Sequence, residues 1–145
     1  MVARALKSQR SGQSIANAEW KATMSRVIRI AAAQMGATQK ADLREHTLRR
    51  MTALLEGAAA RGATLVVFPE LAFTTFFPRW LIEGEALDAY FERSMPNPAV
   101  QGLFDRAREL GVGFYVGYAE ITPERRRYNA AVLVQPDGSV RVSGG

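Results

Sequence analysis

The sequence predicts an α/β fold, in which helices pack on a sheet that has both parallel and antiparallel strands. Three observations support this: short apolar runs alternate with segments of helical periodicity, a strand–helix–strand unit lies near the start, and an Asp-Gly turn signal lies near the end. Of the 145 residues, 48% are hydrophobic and 23% are charged, as in an ordinary globular domain. The predicted order of elements is β-α-β-α-α-β-β-β.

The first unit is a strand, a helix and a second strand. Residues 27–33 alternate apolar side chains with an arginine and predict a buried strand. Asp42 is placed to cap the following helix, because its side chain can accept hydrogen bonds from free first-turn N–H groups. Gly62 suits the left-handed conformation that ends a helix. Residues 64–68 are nearly all apolar, as in a central strand covered on both faces, so we expect a right-handed β-α-β crossover. The helix carries an apolar stripe formed by Leu48, Met51, Leu54, Leu55, Ala58 and Ala59.

Two further helices are predicted over residues 83–93 and 99–110. Pro96 and Pro98 separate them, and Gly111 is placed to end the second. The second of these helices has an apolar face made of Val100, Leu103, Phe104, Ala107 and Leu110.

Three strands are predicted in the last third of the chain, over residues 113–120, 128–135 and 139–142. Each has alternating or nearly continuous apolar character. Asp137 and Gly138 lie between the last two runs, and Asp-Gly favours a hairpin because its turn needs positive φ. These strands therefore make the later part of the sheet antiparallel.

Composition excludes several kinds of site. Cysteine is absent, which excludes disulfides, cysteine-ligated metals and a cysteine nucleophile within these residues. His46 is the only histidine, so a multi-histidine metal site is excluded, and its place away from the apolar stripe predicts a solvated helix residue. No apolar run approaches the roughly 20 residues that span a bilayer. We therefore predict no cysteine-ligated or multi-histidine metal site and no membrane partner.

The net charge of +5 is concentrated at the start of the chain. Residues 1–26 hold five basic residues and one acidic residue, whereas the remainder is nearly neutral. We interpret residues 1–26 as a disordered basic extension without a secretory signal, and residues 27–145 as the ordered part of a cytoplasmic protein. Arg125-Arg126-Arg127 is the only basic cluster, and a solvated loop explains it better than a nucleic-acid interface.

Glu70 is the candidate catalytic residue. It follows the buried strand at residues 64–68, and in open α/β sheets ligands bind at the carboxyl ends of the strands. Between Pro69 and Leu71 we expect its carboxylate to be partly desolvated, a setting that suits a general base. The alternative is a carboxylate that caps the loop or pairs with Arg79.

The loop at residues 72–80 contains four aromatic residues. This composition is typical of the apolar wall of a pocket, and ordinary core packing under a long loop explains it equally well. For Arg79, a surface or loop-bracing role is favoured over substrate contact.

Several strings of the sequence resemble carbon–nitrogen hydrolases of the nitrilase superfamily. They are IAAAQ at 30–34, RGA at 61–63 and LVVFPE at 65–70. The strings LAFTTFFPRW at 71–80, MP at 95–96 and GFYVGYAE at 113–120 are similar to N-carbamoyl-D-amino-acid hydrolases in particular. The resemblance extends from residue 27 to about residue 140.

This resemblance implies a four-layer α-β-β-α sandwich, usually assembled into homo-oligomers, and a Glu–Lys–Cys triad. Glu70 matches the glutamate, which acts as general base. The cysteine attacks the carbamoyl carbon and releases ammonia, while the lysine stabilises the oxyanion. The implied substrate is an N-carbamoyl-D-amino acid, or a related amide, and the products are the D-amino acid, ammonia and CO2. No metal or cofactor is implied.

The sequence departs from this pattern in two of the three triad residues. Lysine occurs only at Lys7, Lys21 and Lys40, all before Glu70, and cysteine is absent. We therefore expect the chain to correspond to the N-terminal half of the hydrolase domain and to be inactive alone. Two alternatives remain: a non-enzymatic remnant that associates with intact hydrolase subunits, and, less favoured, a basic-tailed nucleic-acid binder.

Overall fold

A computed structural model describes residues 27–143, and these form a five-stranded sheet with its two long helices on one face. The predicted extension at residues 1–26 lies outside the described residues. The strands are β1 (Ile30–Ala32), β2 (Leu65–Val67), β3 (Gly113–Ile121), β4 (Arg127–Val134) and β5 (Val140–Ser143). The helices are α1 (Arg44–Ala60), α2 (Gly84–Asp88) and α3 (Gln101–Leu110), with a 3-10 helix at Phe77–Arg79. The predicted α/β class and order of elements are confirmed.

The strands lie in the sheet in chain order, β1-β2-β3-β4-β5. The β1–β2 and β2–β3 pairs are parallel, and the β3–β4 and β4–β5 pairs are antiparallel. β1 is an edge strand in the part of the chain that the structure describes, and its Ile30 side chain is 62% exposed. The prediction of a buried first strand is therefore wrong, because β1 has one neighbour and Ile30 lies on the face opposite the two long helices.

Helix α1 begins and ends at residues that local rules explain only in part. The predicted Asp42 cap is wrong: the Asp42 carboxylate accepts a hydrogen bond from the Gln39 N–H at 2.8 Å, which closes a turn ahead of the helix. The stop at Gly62 is confirmed, because Gly62 has φ of +77° and its N–H donates to the Ala59 carbonyl. Met51 and Leu55 on the predicted stripe are fully buried.

Helix α2 is shorter than the predicted helix over 83–93. It ends at Asp88, and Glu92 is drawn into the sheet instead. The Glu92 N–H donates to the Ala119 carbonyl at 2.7 Å, and the Ile121 N–H donates to the Glu92 carbonyl at 2.9 Å. A long-range pairing with β3 thus overrides the helical pattern.

Helices α1 and α3 cover one face of the sheet and form the main core with it. Phe114 of β3 is at its centre, with the Phe68 and Phe104 rings in edge contact at centroid distances of 6.0 and 5.0 Å. Gly111, with φ of +63°, ends α3 as predicted.

The opposite face of the sheet is covered near Ala119 by the segment between Leu71 and Phe91, and is uncovered around Tyr115 and Leu133 in the described part of the chain. Tyr115 is 40% exposed and Leu133 is 37% exposed, and both lie in register with the half-buried Val67. We call this surface, formed by Ile30, Val67, Tyr115 and Leu133, the open face. The expectation that β2 is covered on both faces is wrong for residues 27–143, since α1 and α3 cover one side and Val67 on the other side is only half-buried.

Candidate active site

Glu70 lies on a turn just beyond the end of β2, on the side of the open face. The chain continues beside β3 after β2: the Phe68 N–H donates to the Tyr115 carbonyl at 2.8 Å, and the Ala72 N–H donates to the Gly117 carbonyl at 3.3 Å. Between these two bonds the backbone arches over Gly117. The turn is therefore fixed at both ends by the backbone of β3.

Leu71, the residue after Glu70, has φ of +51°. This is the left-handed region, which a residue with a branched side chain rarely adopts and which stores about 1–3 kcal/mol of strain. The Leu71 side chain is buried against Phe77 and Ala119, and this packing holds the conformation. The sharp turn directs the Glu70 carboxylate away from the sheet core.

The Glu70 carboxylate has a neutral partner. The side-chain amide of Asn129 on β4 donates a hydrogen bond to Glu70 Oε1 at 2.5 Å. Arg79, the partner considered from the sequence, makes no ion pair with Glu70 within the described chain. Glu70 is exposed, so the expected partial desolvation is wrong for residues 27–143, where little covers the open face.

A small cavity of about 210 Å³ lies beside Glu70. It is lined by residues 35–38, residues 69–72, Thr74, Phe76 and Arg79. The aromatic loop serves both predicted purposes. Phe76 lines the cavity, whereas Phe73 and Phe77 are buried, and Phe77 stacks on Tyr90 with 4.9 Å between ring centroids.

Arg79 ends the 3-10 helix and lines the same cavity as Glu70. Its guanidinium lies 4.5 Å from the centre of the Trp80 ring, and Lys40 Nζ lies 5.4 Å from that centre. Cation–π contacts of this kind brace the loop. Glu70 and Arg79 thus both line one cavity.

Two other sequence predictions concern residues away from this cavity. His46 is exposed on α1, as predicted. The arginine cluster is exposed but is more than a solvated loop, because Arg125 and Arg127 both form ion pairs with Asp88, at 2.5 and 2.6 Å. The hydrogen bond from Arg127, with the charge of Arg125, holds the pKa of Asp88 below its ordinary value.

The described residues do not assemble other kinds of site. Over residues 27–143, no three His, Asp or Glu side chains are grouped so that they could hold a metal ion. In the same part of the chain, no helix has the length and apolarity needed to cross a membrane. The charged groups beside the cavity are therefore a carboxylate, which can accept a proton, and a guanidinium, which can donate hydrogen bonds to an anion.

Comparison with known proteins gives the family. The family profile described as carbon-nitrogen hydrolase matches residues 29–144. The chain belongs to the carbon-nitrogen hydrolase family. It is 30% identical over 123 residues to an arylacetonitrilase from Hypocrea virens, a match that covers 81% of this chain and 36% of that protein.

Solved structures share the fold. An amidase from Nesterenkonia sp. matches with a TM-score of 0.58 and 24% identity over 79% of this chain and 40% of the amidase chain. A carbon-nitrogen hydrolase from Helicobacter pylori matches with a TM-score of 0.59 and 22% identity over 81% of this chain and 39% of its own. The chain thus spans less than half the length of these relatives. The family rests on the profile match. The relatives are named as a nitrilase, an amidase and a carbon-nitrogen hydrolase, and none of these names indicates an N-carbamoyl substrate.

Sequence reasoning missed Asn129 and Gly117 as parts of the site. Asparagine is depleted in strands, so Asn129 within an apolar run was a usable signal. Gly117 within β3 was another, because glycine inside a strand often marks the close approach of another backbone.

Proposed function

We propose that this chain supplies the general-base part of a carbon–nitrogen hydrolase site that converts N-carbamoyl-D-amino acids to D-amino acids, ammonia and CO2. The observation that carries the proposal is the Glu70 carboxylate, which lies on a strained turn at the carboxyl end of β2 and lines a cavity with Arg79. Both the family and the FPE string at residues 68–70 support this role for Glu70.

The proposed chemistry needs a cysteine, which this sequence does not contain, and a lysine that follows Glu70, where this sequence has none. A cysteine thiol gives its proton to Glu70 and attacks the carbamoyl carbon, and a lysine stabilises the oxyanion. Ammonia leaves with the proton from Glu70. Water then hydrolyses the thioester-like intermediate, and the resulting carbamate loses CO2 to give the free amino acid. Glu70 is exposed and carries no ion pair in the described chain, so its second oxygen is available for both proton transfers.

Arg79 supports a substrate that carries a carboxylate. Arg79 lines the cavity beside Glu70, and no Asp or Glu oxygen lies within 4 Å of its guanidinium among residues 27–143. Guanidinium recognises carboxylates through two parallel hydrogen bonds. An N-carbamoyl amino acid offers its carboxylate at a short distance from the carbamoyl carbon, which fits a small cavity with Glu70 and Arg79 on its wall.

The open face supports a larger assembly around the site. Exposed Tyr115 and Leu133 are apolar surface of a kind that proteins cover. We propose that the second sheet of a four-layer sandwich covers this face and that the complete enzyme is a homo-oligomer. A cytoplasmic location stays a prediction from the sequence, as does a dispensable extension at residues 1–26.

The chain alone is proposed to be inactive. A general base supplies about 10²–10⁴-fold acceleration, whereas enzymes typically reach about 10⁶-fold or more. The thiol and the oxyanion donor supply the remainder in the proposed mechanism. Ammonia release should therefore need a second polypeptide that carries them.

The experiment measures ammonia release from residues 1–145 alone and mixed with a separately produced polypeptide that carries the family's Lys and Cys segment. The substrates are an N-carbamoyl-D-amino acid, its L enantiomer, a carbamoylated amine without a carboxylate, and an arylacetonitrile. We expect release by the mixture only, with preference for the D compound. Arg79→Gln should raise KM for that compound, and Arg126→Gln, at an exposed arginine without an ion pair in the described chain, should not. Preference for the arylacetonitrile or for the carbamoylated amine without a carboxylate would refute the proposed substrate.

A second candidate function is a non-enzymatic remnant that binds intact hydrolase subunits. The open face favours it, because the same apolar residues would serve as an interface. Co-purification with a full-length hydrolase, with no ammonia release from the mixture described above, would support this candidate over the first.

A further inference from the structure

We propose that Asn129 is a positioning residue for Glu70, one that selects which carboxylate oxygen takes the proton. The inference rests on the proposed function of Glu70. The two residues are 59 positions apart in the chain, and their side chains meet at the open face. The bond is the one hydrogen bond from another side chain that Glu70 has within the described residues.

The sheet explains how Asn129 reaches Glu70. Asn129 pairs with Ala119 across the β3–β4 ladder, and the next pair on the same face of the sheet is Ala131 with Gly117. Gly117 and Ala119 are the residues of β3 beneath the Glu70 turn and beside it. Because glycine and alanine have little or no side chain, the Asn129 side chain can extend over β3 and its amide can donate to Glu70 Oε1.

The chemistry of the amide suits positioning rather than proton transfer. A glutamate side chain on an exposed turn samples several rotamers, and ordering it costs up to about 2 kcal/mol. The amide N–H donates to Oε1 and leaves Oε2 to accept a proton from the nucleophile. An amide has no charge at any working pH, so it orients the base without neutralising its charge. A lysine or arginine partner would neutralise that charge.

A structural role for the same bond gives different expectations. If Asn129 only filled space, the isosteric Asn129→Asp would be tolerated. If the donated hydrogen bond is what matters, Asn129→Asp should be at least as harmful as Asn129→Ala, because a carboxylate cannot donate and repels Glu70.

The first test observes the bond in the chain as it exists. In nitrogen–proton correlation spectra, the Asn129 side-chain amide should give one strongly downfield proton, which Glu70→Ala returns to the ordinary range. The Asn97 amide, which donates to Glu92 Oε2 at 2.6 Å, is the internal reference and should not move. Glu83→Ala, at an exposed glutamate, is the matched control variant. An Asn129 signal that is unaffected by Glu70→Ala would overturn the proposal.

The second test measures kinetics in the mixture with the Lys- and Cys-bearing polypeptide. Misplacing a reacting group by about 1 Å can cost about 100-fold in rate. We therefore expect Asn129→Ala and Asn129→Asp to lower kcat by about 10–100-fold with KM nearly unchanged. Asn129→Ser, which keeps a donor, should recover part of the loss.

The outcomes separate the two proposals. An active mixture in which Asn129→Asp matches the wild type refutes the positioning role and leaves Glu70 as the base. An inactive wild-type mixture refutes the proposed function, and the spectra then decide whether the Asn129–Glu70 bond exists.

Discussion

Arg44, the first residue of α1, forms an ion pair with Glu92, whose side chain is only 6% exposed. The other Glu92 oxygen accepts the hydrogen bond from Asn97. The pair joins the start of α1 to the segment between α2 and α3, where the Glu92 backbone is also bonded to β3. A buried carboxylate is tolerated here because both of its oxygens have partners.

Removing Arg44 should therefore destabilise the fold. We expect Arg44→Met to lower the free energy of unfolding by about 2 kcal/mol, less than the 3–5 kcal/mol for a fully buried pair because Arg44 is partly exposed. Arg49→Met is the control, since Arg49 and Glu45 form an exposed pair at 4.0 Å that contributes little. Urea unfolding measures both variants, and equal costs would contradict the prediction.

Gly117 sets the height of the Glu70 turn above β3. A Cβ added at Gly117 would lie 3.2 Å from Glu70 Cα, tighter than ordinary van der Waals contact. Gly117→Ala should therefore push the turn outward and cost about 1 kcal/mol of stability. Gly102→Ala, in open space on α3, should instead stabilise the chain by about 0.5–1 kcal/mol. Denaturant unfolding would refute this if both substitutions changed the free energy of unfolding in the same direction.

Asp88 should make stability depend on pH in the acid range. Its pKa is below the ordinary value of 3.8, chiefly because Arg127 donates hydrogen bonds to it. A lowered pKa in the fold gives stability that is fully present well above pH 3.8 and is lost as pH falls through the folded pKa. Asp88→Asn should hence be less stable than the wild type at pH 7, and the difference should shrink towards pH 3. A difference that grows on acidification would contradict this.

Tyr118 should ionise only at high pH. Burial, with a smaller contribution from Glu120, raises its pKa to about 12. A raised pKa gives stability that is present below the unfolded value of about 10 and is lost as pH rises through 12. The phenolate absorbance that Tyr118→Phe removes should appear near pH 12 in the folded chain. If that component rises near pH 10, Tyr118 is not buried as described.

The sequence predicted well the features that depend on neighbouring residues. Positive φ was expected at two helix ends and at the hairpin turn, and Gly62, Gly111 and Gly138 have positive φ there. The prediction failed where distant residues decide. Glu92 pairs with β3 instead of extending α2, and the sequence pattern around Glu92 does not predict that pairing.

In the candidate site, too, the features set by neighbouring residues were predictable and those set by distant residues were not. The position of Glu70 at the end of β2 follows from the local strand pattern, whereas its partner Asn129 comes from a strand 59 positions later. The solvent exposure of Glu70 depends on what covers the open face, and hydrophobic patterning within residues 64–70 carries no information about that.

The most direct test of the proposed general base is the rate of ammonia release by the mixture of residues 1–145 with the Lys- and Cys-bearing polypeptide, using an N-carbamoyl-D-amino acid. We expect Glu70→Gln to lower this rate by at least about 100-fold, and Glu83→Gln, at another exposed glutamate, to leave it unchanged. Binding of the two polypeptides, measured in parallel, should be equal for both variants. Ammonia release by Glu70→Gln at the wild-type rate would contradict the assignment of Glu70 as the base.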